Sequence, residues 1–408
     1  MMVERIMYVD SKTPVNCVFT AKINGEISEE NFRIALDKIQ QKHPLLRASI
    51  DHKSAKYPFF VEEADISPIP LRILERKTDD DWLLESENEW YRIFEDKKKP
   101  MAQIVWVKGE NVSEILWVMP HCLCDGTTGV TLIRELLSLL DDSSIALNSY
   151  DGFNSVNDFL PADFNLKKKK RKARFYLIMA KLFFLIQSKS KDRNIGKNYA
   201  LHRKLNAHVS KEIVEKCKTH GVSVHSLLCS AFMQAFQETL GKNAKGKVIS
   251  PVDVRHFIPE IKQDHIFAFA PTVELSLKKG QNLIENAQKI KKDLVDKIEK
   301  TQARELLWMG ENMHPVVDRM ISLLKSSKGG HDITLSNMGK IDIPGEYKNF
   351  KLETIYSPTV AFPWLNSNTL VVTTYNQQMD FTFMSNETFL PKEEAKKIKD
   401  KAIELLTS

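Results

Sequence analysis

Cysteine is scarce in this chain. There are five residues in 408 (Cys17, Cys122, Cys124, Cys217 and Cys229), odd in number and without the spacing of a disulfide framework. They read as reduced thiols, which predicts a cytoplasmic protein. Long apolar runs are also missing: no stretch reaches the ~18 uninterrupted apolar residues of a membrane span. The opening Met1-Met2-Val3-Glu4-Arg5-Ile6 lacks the apolar core of a secretory signal. No short-period repeat is visible. Acidic residues are nearly absent from one segment, 167–193, where eleven Lys and Arg face only Asp192. That local net of +10, set against +6 for the whole chain, leaves −4 for the remainder. Basicity is therefore confined to one segment, which argues against a nucleic-acid surface spread over the fold.

What is present is the composition of a globular protein, 42% hydrophobic and 27% charged. The length allows roughly two to three domains. Residues 17–23 alternate as a strand and turn at Asn24-Gly25. Ser28 is placed to cap a helix bearing Phe32, Ala35, Leu36 and Ile39 on one face. Pro44 ends that helix, and residues 45–50 are expected to resume as strand. Residues 103–108 and 114–119 form a predicted hairpin.

The polar, irregular stretch 141–165 reads as a linker or crossover, and α/β character then begins again. The second half has an apolar helix after Ser223 and a strand at 247–254, with Pro251 pointing to a sheet edge or end. An amphipathic helix follows at 281–300, then a strand from Ile333 running into a turn at Ser336-Asn337-Met338-Gly339. A hairpin around Asn376-Gln377-Gln378 and a closing helix at 392–406 complete the chain. The pattern predicts two α/β halves, 1–165 and 198–408, joined by a basic and apolar crossover at 166–197.

The most informative string is His121-Cys122-Leu123-Cys124-Asp125-Gly126. Before it, Ile115-Leu116-Trp117-Val118-Met119-Pro120 reads as a buried strand; after it, Val130, Ile133, Leu136, Leu137 and Leu140 recur at helical spacing. An imidazole thus sits where a core strand gives way to a helix, with a carboxylate four residues on and a glycine to allow a bend. A neutral imidazole is the natural general base near neutral pH. The plainer alternative is that Asp125 caps the helix and His121 merely ends a strand.

A metal bound by His121, Cys122 and Cys124 is disfavoured, because no CxxC partner exists elsewhere, and no metal is expected. Cys122 and Cys124 lack an activating arrangement beyond His121 itself, and alternation points to one of them packing in the core. His43, before a proline at a helix end, reads as structural. His225 and His265 have no motif around them and read as solvated or packed.

The segment Ala35-Leu36-Asp37-Lys38-Ile39-Gln40-Gln41-Lys42-His43-Pro44-Leu45-Leu46-Arg47 resembles the helix, HPxLR and strand opening of the condensation-domain and acyltransferase superfamily. That group includes chloramphenicol acetyltransferase, peptide condensation domains, polyketide-associated acyltransferases, wax ester synthases and alcohol acetyltransferases. His121 to Gly126 matches its HxxxDG signature. Pro251-Val252-Asp253-Val254-Arg255 resembles the strand ending in the family arginine, and Ser336-Asn337-Met338-Gly339 is similar to its SNxG turn.

The resemblance implies two chloramphenicol-acetyltransferase-like α/β subdomains, each a mixed sheet covered by helices, with the active-site channel between them. It implies an acyltransferase with His121 as base, an Asp125–Arg255 pair holding the loop, and Gly126 at the bend. Asn337 is a candidate for the oxyanion site, with a purely structural turn as its alternative. The implied donor is acyl-coenzyme A or an acyl carrier protein, so coenzyme A or phosphopantetheine belongs to the substrate and no cofactor is bound. Transfer would be direct, to a small-molecule or lipid hydroxyl or amine. Peptide condensation domains usually carry a second histidine where this chain has Pro120, and no carrier or adenylation domain is present. Both departures favour a free-standing acyltransferase. No plant-type DFGWG motif is found. An amide-forming condensation enzyme and a catalytically silent module binding carrier proteins or acyl ligands remain as alternatives.

The basic residues 167–174 followed by apolar 175–186 suit peripheral contact with an anionic membrane. A solvated loop leading into a core-covering helix, or docking of an acidic carrier protein, would produce the same pattern. Nucleic acid is disfavoured, because no aromatics interleave with the charges.

Overall fold

Residues 113–119 are buried without a break, because the strand that contains them lies inside a sheet covered on both faces. The computed structural model describes residues 2–9, 12–52, 56–94, 98–164, 166–186, 196–269 and 271–408. Its first part runs α1 (Met2–Tyr8), β1 (Asn16–Gly25), α2 (Glu29–Lys42), β2 (Ala48–Asp51), β3 (Phe59–Glu62), β4 (Leu71–Glu75), α3 (Asp81–Glu89), β5 (Gln103–Lys108), β6 (Val112–Pro120) and α4 (Gly126–Asp141). After α5 (Leu166–Ile186) come β7 (Asn198–Lys204), α6 (Ala207–Thr219), α7 (Val224–Leu240), β8 (Lys247–Pro251), β9 (Thr272–Ser276), α8 (Leu283–Glu299), α9 (Ala303–Asn312) and α10 (Val317–Ser326). The chain closes with β10 (Ile333–Lys340), β11 (Phe350–Ile355), β12 (Thr359–Val360), β13 (Thr369–Tyr375), β14 (Gln378–Asn386) and α11 (Lys392–Thr407).

Two six-stranded mixed sheets result. One has the order β11-β1-β6-β5-β4, with β12 also pairing β1; the other is β7-β14-β13-β10-β8-β9. The expected α/β architecture of two sheet-containing halves is what the chain adopts. The division by position is not clean, however. β11 and β12 belong to the 198–408 half but pair with β1, so the second half finishes the sheet of the first. The apolar core of the first sheet accordingly includes Phe350, Leu352, Ile355 and Val360.

Most expected elements are found. Ser28 caps α2 through the Asn31 N–H. The tip of the β13–β14 hairpin is Asn376-Gln377, both at positive φ (46° and 61°), the twist a two-residue turn requires. Three expectations change. Residues 44–47 form a 3-10 turn rather than strand, since Pro44 opens a helical turn readily, and β2 starts only at Ala48. Pro251 does close its strand, but β8 lies one place in from the sheet edge, between β10 and β9. Ser336 to Gly339 remains within β10, as a register shift between Asn337 and Gly339 rather than a turn ending the strand. The crossover 166–197 contains a 21-residue helix, α5; residues 187–195 lie outside the described residues.

Candidate active site

β6 pairs with β1 on one side and β5 on the other, which fixes its end firmly in the sheet. There the His121 N–H donates to the Val15 carbonyl at 2.7 Å, and the Leu123 N–H donates back to Pro120 at 2.9 Å. The chain turns through residues 121–124 and enters α4. Asp125 caps that helix, its Oδ1 accepting from the Thr128 N–H at 2.9 Å.

The same carboxylate also faces the second half. Arg255 Nη2 donates to both Asp125 oxygens at 2.9 Å. Arg255 opens a 3-10 turn four residues past the end of β8 and is 3% exposed. Its Nη1 donates to the Lys262 and His265 carbonyls at 3.1 and 3.0 Å, and its Nη2 also reaches the Phe267 carbonyl at 3.1 Å. Asp125 is therefore both a helix cap and one end of a buried ion pair, so the capping and pairing roles are not exclusive. The pair is a clamp between the halves.

A second polar cluster spans the same junction. Glu135, buried on α4, accepts from Lys42 Nζ at 2.6 Å and from His43 Nε2 at 2.8 Å. Lys42 also donates to Asp264 at 2.8 Å. His43 Nδ1 lies 3.0 Å from the Tyr150 hydroxyl, which accepts from the Ile266 N–H at 2.9 Å. Tyr150 in turn stacks on His265, with ring centroids 4.1 Å apart. His43 is thus structural, and His265 is packed. So is His225, whose Nε2 is 2.8 Å from Ser250 Oγ.

His121 is half-buried, with Phe362 from the second half 5.8 Å from its ring centroid to centroid. Its Nδ1 lies 2.9 Å from the Cys124 carbonyl. A carbonyl only accepts, so Nδ1 carries the hydrogen and Nε2 becomes the basic atom. Cys17, opposite Met119 in the β1–β6 register, comes alongside. Burial disfavours the imidazolium, yet the charge and hydrogen bond of the Cys17 sulfur outweigh it and carry His121 up to about 9. Cys17, despite its own burial, falls to about 6 through bonds to Cys124 and His121. The opposed shifts describe one proton shared between sulfur and imidazole. Burial pushes Cys122 well up, and it packs in the core.

Gly126 does not serve the bend expected of it. It is the first residue of α4 and is not among the glycines with positive φ; instead, a Cβ there would meet Met338 Cε at 3.1 Å. Its lack of a side chain makes room for β10 to approach the start of α4. Gly129, one turn on, has the stronger steric requirement, since a Cβ would fall 2.1 Å from Phe19 Cδ1. Asn337 Oδ1 accepts from the Gly339 N–H at 3.0 Å, so this carboxamide oxygen holds the irregularity of β10.

Sequence reasoning did not place Cys17, Glu135 or Lys42 here. Only the β1–β6 register could have located Cys17, and long-range pairing carries no local signal.

The model of the condensation domain matches residues 7–324. The chain belongs to the condensation-domain family. A search of curated proteins by sequence finds no significant match. Among solved structures, this condensation-domain chain is similar to trichothecene 15-O-acetyltransferase from Fusarium sporotrichioides (TM-score 0.74, 16% identity, 99% of this chain and 93% of that one). It is similar to polyketide synthase associated protein 5 from Mycobacterium tuberculosis (0.67, 14%, 100% and 96%). The wax ester synthase/diacylglycerol acyltransferase from Marinobacter aquaeolei VT8 also shares the fold (0.59, 14%, 99% and 97%). At these identities the likeness is one of fold. The architecture is that of the condensation and chloramphenicol-acetyltransferase-like acyltransferases.

Proposed function

We propose that this chain transfers an acyl group from a thioester donor directly to a hydroxyl or amine, with His121 as general base. The observation that carries the reading is the His121 Nδ1 bond to the Cys124 carbonyl, which fixes the tautomer and leaves Nε2 to take a proton. When the proton shared with Cys17 rests on the sulfur, the imidazole is neutral, and Nε2 removes the acceptor proton as its oxygen or nitrogen attacks the thioester carbon. The tetrahedral intermediate then expels the thiolate, which takes that proton back from the imidazolium. No metal and no acyl-enzyme enters the scheme. The donor is acyl-coenzyme A or an acyl carrier protein, so coenzyme A or phosphopantetheine comes and goes with the substrate. Asp125 and Arg255 hold the loop rather than react. Two of the similar structures are named as an O-acetyltransferase and a wax ester synthase, which favours an oxygen acceptor over an amine.

The test is mass spectrometry of products from a mixed acyl-coenzyme A pool with cell extract, comparing wild type with His121→Ala. A new ester should appear with wild type and fall by roughly 10²–10⁴ in rate in the variant. An amide instead would identify the condensation alternative. Acyl binding without product from either coenzyme A or carrier-bound donors would overturn the reading in favour of a silent binding module.

We further infer that α5 docks on an anionic bilayer, where a long-chain donor or lipid acceptor would reside. Ala173 is buried and Leu177, Ala180 and Phe184 are half-buried, so these positions face the body. The opposite side is open: Phe175, Ile178, Met179, Leu182 and Phe183 are about half exposed, and Leu185 and Ile186 are 73% and 87% exposed. Steps of three and four residues link Lys168 and Arg171 to Phe175, Met179, Leu182 and Ile186, so cations and apolar groups share one outward face. No helix among the described residues is long and apolar enough to cross a membrane. Such a face suits binding in the interface plane. The protein should sediment with vesicles of phosphatidylcholine plus phosphatidylglycerol, but weakly with phosphatidylcholine alone. Replacing Phe175, Met179, Leu182 and Ile186 by Ser should abolish sedimentation. Wild type left in the supernatant would overturn the inference, and capture by an acidic carrier protein instead would assign the face to that partner.

A further inference from the structure

One atom each from Cys17, His121 and Cys124, two sulfurs and an imidazole nitrogen, lie within 4.8 Å of one another. Among the described residues this is the one group of three His, Cys, Asp or Glu side chains so placed. We propose that the three form a binding site for a soft divalent metal ion of the zinc class, and that filling it shuts the reaction off. The second half of that statement rests on His121 being the base.

The donor set selects the ion. Two thiolates and an imidazole suit zinc and its softer relatives, whereas magnesium and calcium require oxygen donors that this cluster lacks. The spacing is close to what is needed. With bonds of about 2.3 Å to sulfur and 2.0 Å to nitrogen, two sulfurs and one nitrogen in tetrahedral positions sit about 3.5–3.8 Å apart. The three side chains would therefore close by at most ~1.3 Å, within reach of side-chain rotation.

Their backbones need not move. Cys17 is held in β1 opposite Met119 of β6, and His121 and Cys124 belong to the turn that β6 feeds. Charge also balances. Binding a divalent ion releases two protons, the Cys124 thiol proton and the one that Cys17 shares with His121, and leaves a neutral centre, which suits positions where Cys17 is 5% exposed and Cys124 fully buried. No electron transfer is involved. The nearby Asp125 is already matched by Arg255 and is not called upon. Cys122, which the sequence places between two of these ligands, is not part of the group.

This arrangement differs from a resident catalytic metal. Coordination uses the imidazole lone pair that would otherwise accept the substrate proton, so an occupied site and a working base exclude each other. The ion would act as a reversible inhibitor, responsive to free zinc and to chelators.

The probe is cobalt(II), added to chelator-treated full-length protein and followed by its thiolate charge-transfer absorption. Wild type and Cys122→Ser should develop the band at one equivalent. Cys17→Ser and Cys124→Ser should each bind at least about a hundredfold more weakly, since even an outer-shell partner costs up to about that. Zinc K-edge absorption on wild type, which needs no variant, should report two sulfur neighbours and one nitrogen. No band in wild type, or a band that survives both Cys17→Ser and Cys124→Ser, overturns the site. A bound metal with undiminished acyl transfer would keep the site but overturn its inhibitory role and the assignment of His121 as base. Inhibition by zinc that a chelator reverses, seen together with the band, would establish both halves.

Discussion

Two regions of the molecule treat charge in opposite ways. Around the junction of the halves, Asp125, Arg255, Glu135 and Lys42 are withdrawn from water and bound to one another or to backbone carbonyls. Only the Arg255 Nε there is left without a partner. Along α5, Lys167, Lys168, Lys170, Arg171 and Arg174 are exposed and lead into an apolar face that nothing covers among the described residues. Removing a buried charge strands its partner, whereas an exposed one is screened and replaceable. The junction should therefore set stability and site geometry, and the helix should set only what the protein touches.

The sharpest way to break that contrast is at the clamp. Arg255→Ala or Asp125→Ala should cost about 3–5 kcal/mol in urea unfolding. The double variant Asp125→Leu/Arg255→Met should lose less than the sum of the two, because neither charge is then left alone. Acid is the next lever. Burial holds His225 neutral and takes its pKa down to about 4. The unfolded chain, titrating near ~6.5, then binds a proton that the folded one does not. The associated stability is complete above pH ~6.5 and drains away as pH falls towards 4, to a total of about 3 kcal/mol. His225→Gln should flatten that part of the stability–pH curve.

Gly129→Ala should cost roughly 1–3 kcal/mol by pressing a methyl group into Phe19. Smallest of all, Ser at Phe175, Met179, Leu182 and Ile186 should each move stability by no more than about 0.5 kcal/mol while removing vesicle binding. A large loss of stability there would mean that the face is covered after all.

Local pattern made part of this legible. Val130, Ile133, Leu136, Leu137 and Leu140 declared α4, the apolar run 115–119 declared β6, and His121 between them marked the candidate site. The Asp125–Arg255 contact came from family resemblance, across 130 residues of sequence that offer no physical hint of it. Glu135 was hidden because a carboxylate on an apolar helix face carries no mark of the Lys42 and His43 that meet it. Gly126 misled for a related reason: a glycine gives the same signal whether a bend needs it or a neighbour such as Met338 takes the space of its side chain. What escaped was tertiary pairing, where packing overrides what short segments prefer.

The pairing of β11 and β12 with β1 also bears on how the chain is made. Until residues 350–360 leave the ribosome, β1 has an open edge with unpaired backbone groups. At ~5–20 residues per second, synthesis of the roughly 230 residues between the end of β6 and β11 takes on the order of 12–46 s. During that interval the first sheet, its strands otherwise complete, is a template for pairing with the wrong chain. Fragments ending before residue 350 would keep that edge for good, so they should aggregate rather than fold as half-enzymes. The last seventh of the chain is in this sense the protein's own chaperone for its first strand.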